Sequence, residues 1–169
     1  MLTWNEFKRQ QPALAETGRQ HFYQFGIGLG FLASVRPDGG PRVHPVCPVI
    51  SAAGLHLSVI AGPKQDDLRR DGRYALHSET SPPPRQDDGF ALTGRGAEVT
   101  DPAVMAAVRG QVRTERGGQV WPGFDEKAIF ELSIKTCLLM LTQDGEAFPA
   151  GPTIWKAGHS DGKRSDMVT

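Results

Sequence analysis

Turn residues divide residues 31–60 into three short apolar segments, and this spacing restricts the chain to a small β-rich fold. The segments lie at 31–35, 42–50 and 55–60, separated by Pro-Asp-Gly-Gly and by Ser-Ala-Ala-Gly. Because glycine, proline and aspartate favour tight turns, each segment is expected to form one strand. The 20 glycines and 13 prolines of the chain favour many turns and short helices as well.

Helix signals surround these strands. Thr3 and Glu6 have the spacing of a capping box, which predicts a helix start there. Pro63 fits the first turn of another helix, which Gly72 is expected to end. Further helices are predicted at 13–25 and 102–116, and further strands at 74–78, 90–99 and 129–141, with a short final segment at 152–156. About six strands in meander order, with short covering helices, predict a mainly β (α+β) antiparallel barrel.

The composition indicates one globular domain, expected at residues 1–158, with a polar, flexible tail at 159–169. Nineteen basic and nineteen acidic residues balance, so neither nucleic acid nor an anionic membrane is an expected partner. The apolar runs are too short to span a bilayer, and the N-terminus lacks the apolar core of a secretory signal. Cys47 and Cys137 do not make a disulfide framework, and the predicted location is the cytoplasm.

A hairpin register can be predicted for the second and third strands. If Ile50 lies opposite Leu55, then His44 lies opposite Ala61 and Val49 opposite His56. Alternation then places Arg42, His44, Val46, Pro48 and Ile50 on the core side, and Cys47 and His56 on the other face. His44 therefore shares a face neither with His56, as one metal site would need, nor with Cys47, as a nucleophilic pair would need. No metal site is predicted.

Pro45 and Pro48 are unusual in a strand, because neither can donate to a ladder. Two interpretations remain open: an edge protected against aggregation, or an edge whose free backbone groups bind a flat heterocycle. Lys64, in a first helical turn, opposes the helix dipole unless an anion binds there. It is either solvated beside Asp66 and Asp67 or part of an anion site. Its predicted position near His44 and the proline-broken strand favours the anion site.

These segments, GFLASVRPDGGPRVHPVCPV, LHLSVI, GPKQDDLRRDGRYALHS and FALTGRGAEVTDP in this order, resemble the pyridoxamine 5'-phosphate oxidase-like, FMN-binding split β-barrel family over about residues 7–156. The resemblance implies a six-stranded split β-barrel, a homodimer with flavin sites at the subunit interface, and FMN chemistry on a small molecule. It implies cofactor contacts, partly through backbone groups, from Arg42, Val43, His44, Pro45, Val59, Ile60, Lys64 (on the phosphate), His77, and the C-terminal Trp155 and Lys156.

Two departures from the family argue against vitamin B6 phosphate as the substrate. Cys47 stands where pyridoxamine phosphate oxidases have a substrate-binding lysine, and GPTIWKAG replaces their C-terminal Arg-x-His signature. The chemistry would then belong mainly to the cofactor, and no catalytic residue is assigned. Trp4 and Trp121 are interpreted as packing residues, and the arginines at 113 and 116 as a solvated helix face.

Two alternatives to an FMN oxidoreductase remain. The first is a reductase of the same fold that uses the deazaflavin F-420, whose polyglutamate tail would need basic residues such as Lys64, Arg69, Arg85 and Lys156. The second is a non-catalytic flavin- or haem-binding protein, with His44 or His77 as the axial ligand of a haem.

Overall fold

The computed structural model describes residues 1–142 and 151–158. The helices are α1 (Trp4–Gln10), α2 (Pro12–Phe22), α3 (Pro63–Arg70) and α4 (Pro102–Glu115), with a 3-10 turn at Phe124–Glu126. The strands are β1 (Gly30–Val35), β2 (Pro41–Val46), β3 (Pro48–Ser51), β4 (Gly54–Val59), β5 (Arg73–Ser78), β6 (Gly89–Glu98), β7 (Ala128–Met140) and β8 (Thr153–Lys156). The tail predicted at 159–169 lies outside these residues.

The strands form one antiparallel sheet in the order β2-β1-β5-β6-β7-β4-β3, with β8 added on β7. The sheet curls into a half-barrel covered by the four helices, which confirms the predicted α+β split-barrel class. Within the described residues it has eight strands rather than six. The two additional strands arise because the segment at 42–50 forms β2 and β3, and because the final segment forms β8, which pairs with the second half of β7.

The segment predicted as one strand at 42–50 is two strands that pair with different partners. Strand β2 pairs with β1, so His44 lies opposite Leu32 and not opposite Ala61. Strand β3 pairs with β4 in the predicted register, with Ile50 opposite Leu55. The chain changes partner at Cys47, between Val46 and Pro48. Both new strands are the outer strands of the sheet path, where a proline without an N–H is tolerated.

The sequence signals at the helix ends are confirmed. The Thr3 hydroxyl accepts from the Glu6 N–H, and the Glu6 carboxylate accepts from the Thr3 N–H at 2.8 Å. Helix α3 begins at Pro63, and Gly72 follows it with φ of 77°. No helix within 1–142 or 151–158 is both long enough and apolar enough to cross a membrane.

The buried side chains form two clusters. The larger fills the half-barrel beneath α1 and α2 and includes Phe7, Phe22, Phe90 and Trp155. The smaller lies between α4 and the sheet and consists of Val49, Val108, Val112, Phe124 and Ile129. The second cluster fixes α4 and the connection that follows it against β3 and β7, which positions the residues of the candidate site.

His56, which is 1% exposed, gives the fold a dependence on pH. Its Nδ1 has no hydrogen-bond partner among the described residues, and burial lowers its pKa. The folded protein therefore keeps His56 neutral, whereas the unfolded chain takes up a proton below about pH 6.5. We expect the melting temperature to fall as the pH drops below this value, towards the lower pKa of the folded state.

His56→Gln should reduce this loss of stability between pH 7.5 and 5, measured by thermal denaturation followed by circular dichroism. His77→Gln is the matched control, because His77 is exposed. If the melting temperature of His56→Gln falls with pH as steeply as that of wild type, the loss of stability arises from other groups.

Candidate functional site

A cavity of about 390 Å³ opens where the end of β2, the end of β4, the start of α3 and the α4–β7 connection meet. Its apolar wall includes Val46, Val49, Ile60, Val112 and Phe124. Three cationic side chains also line it: Lys64, Arg116 and Lys127. This volume and mixture of apolar surface with a few polar groups are typical of small-molecule and cofactor sites.

Lys64 lies in this cavity, together with the predicted contacts Pro45 and Ile60. Helix α3 contributes little else to bind an anion, because the Gln65 and Asp66 N–H groups both donate to the Gly62 carbonyl, at 2.9 and 3.1 Å. Burial lowers the pKa of Lys64, and the nearby Cys47 acts in the opposite direction. The ammonium is thus a partly desolvated charge that a bound anion would stabilise.

Arg42 is engaged elsewhere. Its Nε donates to Oδ2 of Asp67 at 2.7 Å, and this carboxylate also accepts from Ser34 and Arg70. The side chain of Asp67 is 2% exposed. Burial alone would raise the pKa of Asp67, but the hydrogen bonds from Arg42, Arg70 and Ser34 outweigh it, and the pKa is lowered. The Arg42 guanidinium therefore fixes β2 to α3, while the β2 backbone remains available to a ligand.

Four other predicted residues do not line the cavity. Val43 is 60% exposed on the outer face of the sheet, and Val59 is buried in the larger core. His44 is half-buried on β2. His77 is exposed, with its Nδ1 2.8 Å from the Ser78 carbonyl oxygen.

The C-terminal pair is also remote from the cavity of its own chain. Trp155 is 4% exposed and packs on Phe7, with ring centroids 4.9 Å apart. Lys156 is exposed and lies opposite Thr136, near the end of β7 that is far from Lys127. Contact of this segment with a partner subunit's flavin stays a prediction.

Arg116, Trp121 and Lys127 were missed by sequence reasoning. The Lys127 Nζ lies 3.9 Å from the centroid of the Trp121 ring, and the Arg116 Cζ lies 5.1 Å from it. Nη2 of Arg116 is 3.2 Å from Sγ of Cys47. No local sequence signal brings these residues to Lys64, because their proximity depends on how α4 packs against the sheet.

One wall of the cavity is held by a hydrogen-bonded network around Tyr23. Its hydroxyl donates to Glu115 at 2.9 Å and accepts from the Ile50 N–H at 2.8 Å. Burial, helped by Glu115, raises the pKa of Tyr23, so the hydroxyl stays protonated. At Gly28 a Cβ would come within 1.8 Å of the Pro48 carbonyl oxygen, so this approach of the α2–β1 loop to β3 requires glycine. These contacts join α2, β3 and α4 into a rigid wall.

An orphaned polar atom supports a ligand in this cavity. Ser58, on β4, lines the wall, and its Oγ is buried without a hydrogen-bond partner among the described residues. A buried hydroxyl without a partner is unfavourable, and a ligand atom would supply one. The apolar wall, the Ser58 hydroxyl and Lys64 together fit a phosphorylated ring system.

The outer face of the sheet beside the cavity is apolar and exposed. Phe31, on β1, lies between Pro45 on β2 and His77 on β5. Val43 and Phe31 are 60% and 38% exposed. Pro45 lies in this row of neighbouring side chains and also lines the cavity, so the apolar face and the cavity are continuous.

Comparisons with known proteins support the fold. No family model matches the chain, and neither does any curated protein. Solved structures do: a putative pyridoxamine 5'-phosphate oxidase from Listeria innocua aligns with 13% identity and a TM-score of 0.57, over 73% of this chain and 95% of that one. The chain has the split β-barrel fold.

Two other structures of this fold carry different cofactors in their names. An F420 reductase aligns with 17% identity and a TM-score of 0.54, over 70% of this chain and 94% of its own. A haem-binding protein from Mycobacterium smegmatis aligns with 15% identity and a TM-score of 0.56, over 82% of this chain and 57% of that longer chain. Likeness at these identities shows the fold alone.

Proposed function

We propose that the cavity beside Lys64 binds FMN and that the protein is an oxidoreductase acting on a small molecule. The observation that carries the proposal is Lys64 itself. It is a half-buried cation without an ion pair among the described residues, at an apolar cavity that also holds the orphaned Ser58 hydroxyl. A phosphate at Lys64 and a flat ring against Pro45 and Ile60 would satisfy these features.

The residues of this chain would bind and orient the cofactor. Lys64 holds the phosphate, Ser58 supplies a hydrogen bond, and the apolar wall excludes water from the ring. The flavin, when bound, supplies hydride transfer at its N5 position.

The deazaflavin F-420 is the second candidate, and the cationic lining favours it. Lys64, Arg116 and Lys127 together suit a cofactor with more negative charge than FMN. Haem is less well supported at this cavity, because no histidine among the described residues lines it. His44 and His77, the predicted axial ligands, both lie elsewhere.

A homodimer is part of the proposal. The apolar face around Phe31 and Val43 runs into the cavity through Pro45, so a second copy on this face would also close the site. Sedimentation equilibrium should give twice the chain mass of 18.4 kDa. A monomer at all accessible concentrations would contradict this arrangement.

The test of function is a cofactor screen. The visible spectrum of the purified protein is recorded, and apo protein is then titrated with FMN, F-420 and haemin. Saturable FMN binding supports the oxidoreductase proposal and moves the question to substrates. Binding of F-420 alone selects the second candidate, and a Soret band with haemin alone rejects both. If none of the three cofactors binds, the oxidoreductase proposal is rejected and only the fold assignment stands.

A further inference from the structure

We propose that Arg116 and Lys127, held against Trp121, form a second anion position in the cavity, which recognises a small organic carboxylate with an apolar body. This position deepens the proposed function, on which it rests for its role as the substrate site. Lys64 would hold the cofactor, and the Arg116–Lys127 pair would hold the substrate.

Both cations are held in place without an anion. Arg116 immediately follows α4 and Lys127 immediately precedes β7, so the backbone of each residue is held by the adjoining helix or strand. Both lie over the Trp121 ring, which is 37% exposed, and cation–π contacts restrain their side chains. The guanidinium of Arg116 also contacts the Cys47 sulfur inside the cavity.

The positive charges of Arg116 and Lys127 are not compensated by a nearby carboxylate among the described residues. Arg113, one turn before Arg116, pairs with Asp125 at 2.6 Å. Within the described residues, Arg116 and Lys127 have no such ion pair. Burial lowers the pKa of Lys127, and the positive charges of Lys64 and Arg116 lower it further. Like charges that face one cavity are unfavourable unless an anion binds between them.

The carboxylate in the cavity wall does not fill this role. Glu115 accepts from the Tyr23 hydroxyl at 2.9 Å and from Gln111 at 3.0 Å, both through Oε1. These bonds fix Glu115 to α2 and to its own helix, and it forms no ion pair with Arg116 or Lys127 among the described residues. The two cations are therefore available to a ligand.

The class of ligand follows from the surroundings of the pair. An arginine fork binds a carboxylate through two parallel N–H···O bonds, and a nearby lysine adds charge. Val112 and Phe124, which line the same cavity, offer apolar surface beside the two cations. A carboxylate on an aromatic or aliphatic body matches both features, whereas a small inorganic anion would leave the apolar surface without a partner.

The test uses benzoate as the probe and benzamide as its neutral counterpart, titrated into apo protein by calorimetry at low salt. Benzoate should bind and benzamide should not. Arg116→Gln and Lys127→Met should each weaken benzoate binding by about tenfold or more, as expected when a charged hydrogen bond is lost. Lys135→Met is the control, since this lysine is exposed on β7 and does not line the cavity, and it should leave binding unchanged.

Lys64→Met separates this inference from the proposed function. If the two anion positions are distinct, Lys64→Met weakens benzoate binding clearly less than Arg116→Gln or Lys127→Met does, even if the protein binds no flavin at all. The inference is overturned if benzamide binds as well as benzoate, if neither binds, or if Lys64→Met abolishes benzoate binding while the Arg116 and Lys127 variants do not. Melting curves of each variant show that it is folded.

Discussion

Asp67→Ala should lower the free energy of unfolding by roughly 2–3 kcal/mol, the usual cost of losing hydrogen bonds to a buried charged group whose arginine partners stay partly solvated. The Asp67 side chain is 2% exposed, joins α3 to β2 through Arg42 and to β1 through Ser34, and also accepts from Arg70 on its own helix. Its loss would leave the Arg42 guanidinium and the buried Ser34 hydroxyl without their acceptor. Urea denaturation at pH 7 measures the change.

Asp66→Ala is the matched control, because Asp66 is exposed on the same helix. It should change stability by at most about 0.5 kcal/mol. The lowered pKa of Asp67 adds a second check. Its stabilising effect should persist above about pH 3.8 and be lost as the pH falls through the lower pKa of the folded state. Equal losses in the two variants would show that Asp67 is not the residue that joins β2 to α3.

Lys64→Met should weaken FMN binding by roughly 10- to 100-fold, since a hydrogen bond to a charged group is worth about 1.5–3 kcal/mol. The loss of affinity should arise only from the contact between Lys64 and the phosphate. Riboflavin, which lacks the phosphate, should bind wild type and Lys64→Met equally. Titration followed by the quenching of flavin fluorescence measures both ligands.

Lys64→Arg is the conservative control and should retain most of the affinity for FMN, because it keeps the positive charge. Higher salt should reduce the difference between FMN and riboflavin in wild type, since screening weakens the phosphate contact. If FMN binds Lys64→Met as tightly as wild type, the phosphate lies elsewhere.

Much of the fold could be predicted because its signals are local. The apolar segments end at glycine or proline, and the capping box at Thr3 and the proline at 63 mark helix starts that the structure confirms. The prediction of one strand at 42–50 was wrong because periodicity cannot show a change of partner. The alternation of exposed and less exposed residues continues through Cys47, although the pairing partner changes there from β1 to β4.

The site was predictable only in part, for a similar reason. Lys64 has a local signal, because it lies at a helix start. A backbone contact from Arg42 to a cofactor stays a prediction, whereas its side chain pairs with Asp67, 25 residues later in the chain. Arg116 and Lys127 reach the cavity through the packing of the second cluster, which brings α4 over β3. Such contacts between distant segments leave no periodic pattern in the sequence.

We propose above all that a phosphorylated ring cofactor occupies the cavity between β2, β4 and α3. A crystal structure of the protein loaded with FMN, or with F-420 if that is the cofactor retained, tests it most directly. We expect a phosphate oxygen within hydrogen-bond distance of the Lys64 ammonium and the ring against Pro45 and Ile60. A cofactor bound away from Lys64, with this cavity filled by solvent, would contradict it.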